Sequence, residues 1–223
     1  MSKGLLFSAI IKFSLGVVLV GLLLFLPAGS FLFLNGWLFM ILLFVPMFVA
    51  GIIMLFKNPK LLASRLNAKE KQKEQSVVVK LSGLMFLIGF ILAGLGFRFR
   101  WYCLPWWAVI IGAVVFILAY ILYAEVLREN TYLSRTIEVQ QGQKVIDTGL
   151  YKIVRHPMYS ATLLLFLSIP IILGSLYSLI VFAAYPFIIA NRIVYEEKFL
   201  ENELQGYKEY KQKVKYRLIP FIW

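Results

Sequence analysis

Apolar runs long enough to cross a bilayer constrain this chain more than any other feature. Residues 5–26 and 31–56 reach the roughly 20 apolar residues that a spanning helix needs, and 81–97 and 108–127 approach or meet it. In hydrocarbon every backbone N–H and C=O must be satisfied within the protein, so each run predicts a helix. Two further runs, 158–173 and 176–191, are about 16 residues long and cover roughly 24 Å. Their length predicts tilt, kinks at Pro170 and Pro186, or incomplete spanning. The expected fold is an all-α integral membrane protein of about six transmembrane helices, the last two a short helical hairpin.

Composition agrees. The 223 residues are 61% hydrophobic and only 15% charged, far outside the balance of a soluble domain. A net charge of +12 would suit nucleic acid, but the basic residues cluster in the loops between apolar runs. With the N-terminus inside, all but Arg98 and Arg100 of the 23 Lys and Arg fall on the cytoplasmic side. Both termini are therefore expected in the cytoplasm, with membrane lipids and no nucleic acid as partners. Trp37, Trp101, Trp106 and Trp107 then form an outer aromatic belt. The compact chain suggests a bacterial inner membrane.

The first run leads through Leu-Pro-Ala-Gly-Ser at 26–30 into the second, which reads as a retained helix hairpin rather than a cleavable signal. Lys12 is placed to snorkel toward headgroups. The basic loop 57–80 reads as an interfacial helix, with Leu61, Leu62 and Leu66 apolar against Lys60, Arg65 and Lys69. One cysteine, Cys103, cannot form an internal disulfide, and a single histidine cannot build a multi-histidine metal site. No metal is expected.

Two polar clusters flank the final hairpin. The first is GLYKIVRHPMY at 149–159, which holds Arg155, His156 and two tyrosines. Gly149 permits a tight turn, and Pro157 suits the first turn of a helix whose N–H groups lack helical partners. His156 and Tyr159 flank that point as ligand-facing candidates; Arg155 is expected to cap the helix at the headgroups. The second cluster has Arg192 and Glu196 at i and i+4 on the continuation of the last run, sharing a face. Arg192 can clamp a carboxylate or phosphate, and Glu196 can hold a cation such as an ammonium or sulfonium. Glu197 is expected to face water.

The order GLY, RHPMY, hairpin, RIVYEE, GYKEYKQKV and RLIP resembles the isoprenylcysteine carboxyl methyltransferase family and the related membrane phospholipid methyltransferases. The resemblance covers about residues 130–221. It implies S-adenosyl-L-methionine-dependent methyl transfer to a lipophilic acceptor entering from the bilayer, with a cytoplasmic cofactor-binding region. On this view residues 1–127 hold helices one to four and 128–223 form the methyltransferase core. Carried over by motif, the cofactor-binding residues are Gln140, Val145, Ile146, Tyr151, His156, Pro157, Met158, Tyr159 and Glu196. Arg192 is the substrate-binding residue, and Arg192 with Glu196 the catalytic pair. This chain has GLY where many relatives have GPY, and a shorter segment before Gly149 than eukaryotic relatives have. The tail YRLIPFIW is placed to act as part of a lid. Phospholipid, small-amine or small-thiol methylation by the same fold remains open. So do a membrane NADPH-dependent reductase and a non-catalytic membrane protein, although the latter predicts polar groups at mid-membrane.

Overall fold

The computed structural model describes residues 3–66, 73–133 and 137–223. Lys69 of the expected interfacial helix lies outside them. The described residues form helices and no strand: α1 (Lys3–Ala28), α2 (Leu34–Lys57), α3 (Pro59–Leu66), α4 (Lys73–Arg98), α5 (Trp106–Glu129), α6 (Pro157–Ile172), α7 (Leu176–Phe182), α8 (Tyr185–Glu203) and α9 (Tyr207–Lys213). A short 3-10 turn spans Gly149–Lys152.

Five stretches are long and apolar enough to cross a membrane: Gly4–Ala28, Leu34–Lys57, Ser76–Arg98, Trp106–Glu129 and Leu176–Glu203. Pro157–Ile172 is apolar but shorter. Their outward faces are large exposed hydrophobics such as Leu15, Leu22, Phe48, Ile110 and Leu118. In water that surface would be a large unfavourable exposure; in lipid it is the solvated face. The chain is an all-helical, multi-pass membrane protein.

Small residues set the helix crossings. α1 packs on α4, where a Cβ at Gly94 would stand 2.5 Å from the Leu24 carbonyl oxygen. α5 packs along α6, where a Cβ at Gly112 would stand 2.8 Å from the Ile171 side chain. Such close approach maximises dispersion contacts where lipid offers no hydrophobic drive between helices. Phe39, Phe116 and Phe182 fill the centre and are fully buried.

The last apolar run is two helices rather than one. α7 ends at Phe182 and α8 begins at Tyr185, with Pro186 in its first turn. Proline cannot donate to the preceding turn, so the helix restarts there. Gly174, at φ +69°, makes the turn before α7, and the Ser175 hydroxyl accepts from the Ser178 N–H as an N-cap.

Lys12 departs from expectation. Its Nζ donates to the carbonyl of Leu66, 2.7 Å away, at the end of α3. A cation satisfying the last carbonyls of a helix is favoured by the helix dipole, so Lys12 fastens α3. Arg65 bonds the Tyr123 hydroxyl and ties α3 to α5. These contacts gather the start of α1, all of α3 and the end of α5 at one end of the bundle. The tryptophan-bearing connections and the turn at Gly174 lie at the other.

Candidate functional site

The end of α5, the start of α6 and the C-terminal half of α8 meet around an open cleft. It is walled on the remaining sides by the 137–146 segment and by α9. Tyr151, Leu204, Tyr207 and Tyr210 of its lining belong to a buried cluster with Val126 and Val214.

The Gly149 turn positions Tyr151. Gly149 has φ +49°, and a Cβ there would fall 1.3 Å from a Glu129 carboxylate oxygen. The Glu129 carboxylate accepts from the Leu150 N–H at 3.0 Å. Glycine is thus required both by the left-handed backbone and by the carboxylate that caps the turn. The Tyr151 hydroxyl accepts from Asn130 Nδ2 at 3.0 Å, and its carbonyl accepts from the Tyr210 hydroxyl at 2.8 Å.

Pro157 opens α6 as the sequence predicts. The N–H groups before it are engaged: Arg155 N–H donates to Tyr216 O and His156 N–H to Arg217 O, each at 2.9 Å. Ser160 Oγ donates to Leu218 O, and Leu218 is buried in the main core. The tail is therefore a strut behind the RHP segment. Residues 216–223 do not line the cleft.

Two adjacent carboxylates divide the work. Glu196, half-buried, lines the cleft and accepts from the Tyr159 hydroxyl at 2.5 Å. Tyr159 in turn accepts from Arg192 Nε at 2.8 Å. A buried phenol thus links cation and carboxylate in a single chain across α6 and α8. Glu197, expected in water, is only 2% exposed. It accepts from Arg155 Nε at 2.6 Å and Arg217 Nε at 2.9 Å, and lies 3.2 Å from His156 Nε2. Arg155 is likewise no headgroup cap: it is buried, and its Nη1 donates to the carbonyls of Val214 and Lys215. A helix turn places neighbours about 100° apart, so Glu197 points inward while Glu196 faces the cleft. A carboxylate pointing inward needs partners, and the two guanidiniums provide them.

Of the residues singled out in the sequence, Val145, Ile146, Tyr151, Arg155, His156, Met158, Tyr159, Arg192 and Glu196 line the cleft. His156 and Glu196, forty residues apart in the chain, share it. Pro157 sits behind it. Gln140 does not line it either; its side-chain amide donates to Tyr132 O at 2.8 Å and pins the 137–146 segment, while Gln143 takes the lining position. Tyr207, Tyr210, Asn130 and Lys144 also line it and were not anticipated. The i, i+3 pair of tyrosines with Leu204 and Val214 around it carries an apolar-face signal, but nothing in it names the surface it meets. Among the described residues no group of three or more His, Cys, Asp or Glu could hold a metal ion.

Residues 107–206 match the family model "Phospholipid methyltransferase". Protein-S-isoprenylcysteine O-methyltransferase B of Arabidopsis thaliana is 32% identical over 123 residues, 52% of this chain and 61% of that protein. A probable protein-S-isoprenylcysteine O-methyltransferase of Oryza sativa subsp. japonica is 34% identical over 116 residues, 51% of this chain and 58% of that protein. The matched stretch thus spans about three-fifths of each relative's length. Residues 107–206, which hold most of the cleft's lining, match the phospholipid methyltransferase family model, and about half of the chain is similar to the isoprenylcysteine O-methyltransferases.

Proposed function

We propose that this chain is an integral membrane S-adenosyl-L-methionine-dependent methyltransferase acting on a lipophilic acceptor. On this reading its activity is of the protein-S-isoprenylcysteine carboxyl O-methyltransferase type. The observation that carries the proposal is the Arg192–Tyr159–Glu196 chain in a cleft shared with His156 and Tyr151. A cation and a carboxylate held side by side at one mouth suit a positively charged donor and a carboxylate acceptor together.

The residues fit that donor. Glu196 offers negative charge to a sulfonium or ammonium, and Met158, Val145 and Ile146 offer apolar surface. When bound, S-adenosyl-L-methionine supplies an electrophilic methyl group. Arg192 orients the acceptor carboxylate, which is already ionised at neutral pH, so no base is required. Tyr159 holds Arg192 and Glu196 at fixed separation, so positioning is the protein's main contribution. The cleft lies at the end of the bundle that carries α3 and its basic residues, and we assign that end to the cytoplasm with both termini.

The family model's name favours a second acceptor class, a phospholipid amine. An amine must lose a proton, and Glu196, which lines the cleft and accepts from Tyr159, is a proton acceptor within it.

Calorimetry of the purified protein with S-adenosyl-L-methionine tests the proposal, beside Tyr159→Ala and Glu196→Ala. Wild-type binding lost in both variants is expected. Wild-type silence, or unchanged affinity in both variants, rejects it. Labelled-methyl transfer to an isoprenylcysteine carrying a free carboxylate, against phosphatidylethanolamine, then separates the acceptors.

A further inference from the structure

Tyr207 has no role in the chemistry above, yet it is the residue of the cleft with an unspent bond. Gly206, at φ +86°, turns the chain out of α8 and starts α9, which puts Tyr207 and Tyr210 against the cleft. Tyr210 spends its hydroxyl on the Tyr151 carbonyl. Tyr207 is 4% exposed, and its hydroxyl has no hydrogen-bond partner within the protein; among the buried side-chain atoms of the described residues only Ser178 Oγ shares that condition. A buried polar group without a protein partner is unfavourable unless a ligand or an ordered water completes it.

We propose that the Tyr207 hydroxyl donates a hydrogen bond to the nucleoside part of the bound cofactor, an inference that rests on the function proposed above. The phenol is a donor under all ordinary conditions. Burial pushes its pKa far up, and the negative charges of Glu197 and Glu196 push it further. The same charges select the acceptor. At Tyr207 the carboxylates of Glu197 and Glu196 each outweigh the Arg155 guanidinium, so an uncharged ribose oxygen or purine ring nitrogen suits this hydroxyl better than a carboxylate does. Of the acceptor atoms on S-adenosyl-L-methionine, those of the nucleoside meet this condition and its carboxylate does not.

The test compares wild type with Tyr207→Phe in three measurements. These are calorimetric affinity for S-adenosyl-L-methionine, affinity for 5′-methylthioadenosine, which lacks the amino-acid tail, and the thermal midpoint of the ligand-free protein. Loss of one neutral hydrogen bond predicts Kd values for both ligands raised about two- to tenfold. The ligand-free midpoint is expected to be unchanged or higher, because phenylalanine leaves no orphaned hydroxyl. Equal affinities in wild type and variant overturn the proposal. So does weaker binding of S-adenosyl-L-methionine with unchanged 5′-methylthioadenosine, which would place the contact on the amino-acid tail. A lowered midpoint overturns it too, because the hydroxyl would then be bonded within the protein. Failure of wild type to bind either ligand rejects the functional proposal itself and this inference with it.

Discussion

Glu197→Ala is expected to unfold the cleft end of the bundle far more readily than Glu196→Ala, although the two carboxylates are neighbours. Glu197 is 2% exposed and holds Arg155, whose side chain is 4% exposed, at 2.6 Å. It also holds Arg217 at 2.9 Å. Removing it leaves the Arg155 guanidinium buried without its counter-charge, which costs about 3–5 kcal/mol for pairs of this kind. Arg155 keeps its bonds to the Val214 and Lys215 carbonyls, so the lower half of that range is the better figure. At about 2–4 °C per kcal/mol for a chain of this size, the thermal midpoint should fall by roughly 6–15 °C. Tail and RHP segment should loosen together, since Arg217 and Arg155 share the one carboxylate. Glu197→Gln keeps an acceptor but not the charge and should fall between. Glu196 is half-buried at the cleft mouth, so its removal should move the midpoint by a few degrees while abolishing cofactor binding. Thermal unfolding in detergent, read by tryptophan fluorescence and paired with calorimetry, checks both arms. A Glu197→Ala midpoint equal to wild type, or a larger loss for Glu196→Ala, would refute the division of labour.

Other outcomes follow from the same geometry. Tyr159→Phe removes the link between Arg192 and Glu196 and should lower kcat/KM about 10- to 100-fold, as loss of a hydrogen bond to charged groups implies, measurable by labelled-methyl transfer. Gly149→Ala forces a left-handed residue and displaces the Glu129 carboxylate, so a loss of about 1–3 kcal/mol is expected in thermal unfolding. Gly94→Ala drives a methyl against the α1 backbone and should cost about 1–3 kcal/mol, whereas Gly83→Ala, with nothing within 4 Å, should be neutral or slightly stabilising. Burial holds the Tyr151, Tyr207 and Tyr210 phenols well above their ordinary value of 10.0. A raised folded-state pKa contributes stability that is complete below the unfolded value and is lost as pH climbs above it. The midpoint should therefore decline above about pH 10, less steeply in Tyr207→Phe, in a pH series of unfolding scans.

Much of the architecture is local and so was visible along the chain. Hydropathy marks the long helices because lipid requires each segment to satisfy its own backbone. Pro157 and Gly149 announce a helix start and a tight turn by their own covalent geometry. The i, i+4 spacing put Arg192 and Glu196 on one face, and helix α8 keeps them there. The meeting of that face with His156 and Tyr159 was expected from motif order and is present in the fold. The break at Ala184 was half-visible, since Pro186 marked a kink but not two separate helices.

What the chain could not declare were partners far away in sequence. Glu197 looks like Glu196 until Arg155 and Arg217, 42 and 20 residues away, are seen to converge on it. Lys12 looks like a snorkelling lysine until Leu66 offers a carbonyl. Tyr207 looks like an ordinary tail aromatic until the cleft reaches it and no partner does. Residue type and spacing determine what each segment does alone, because backbone satisfaction and helix periodicity act over a few residues. Which charge is buried, and against what, is decided only by packing, because desolvation and Coulomb attraction depend on distances that the order of residues does not contain.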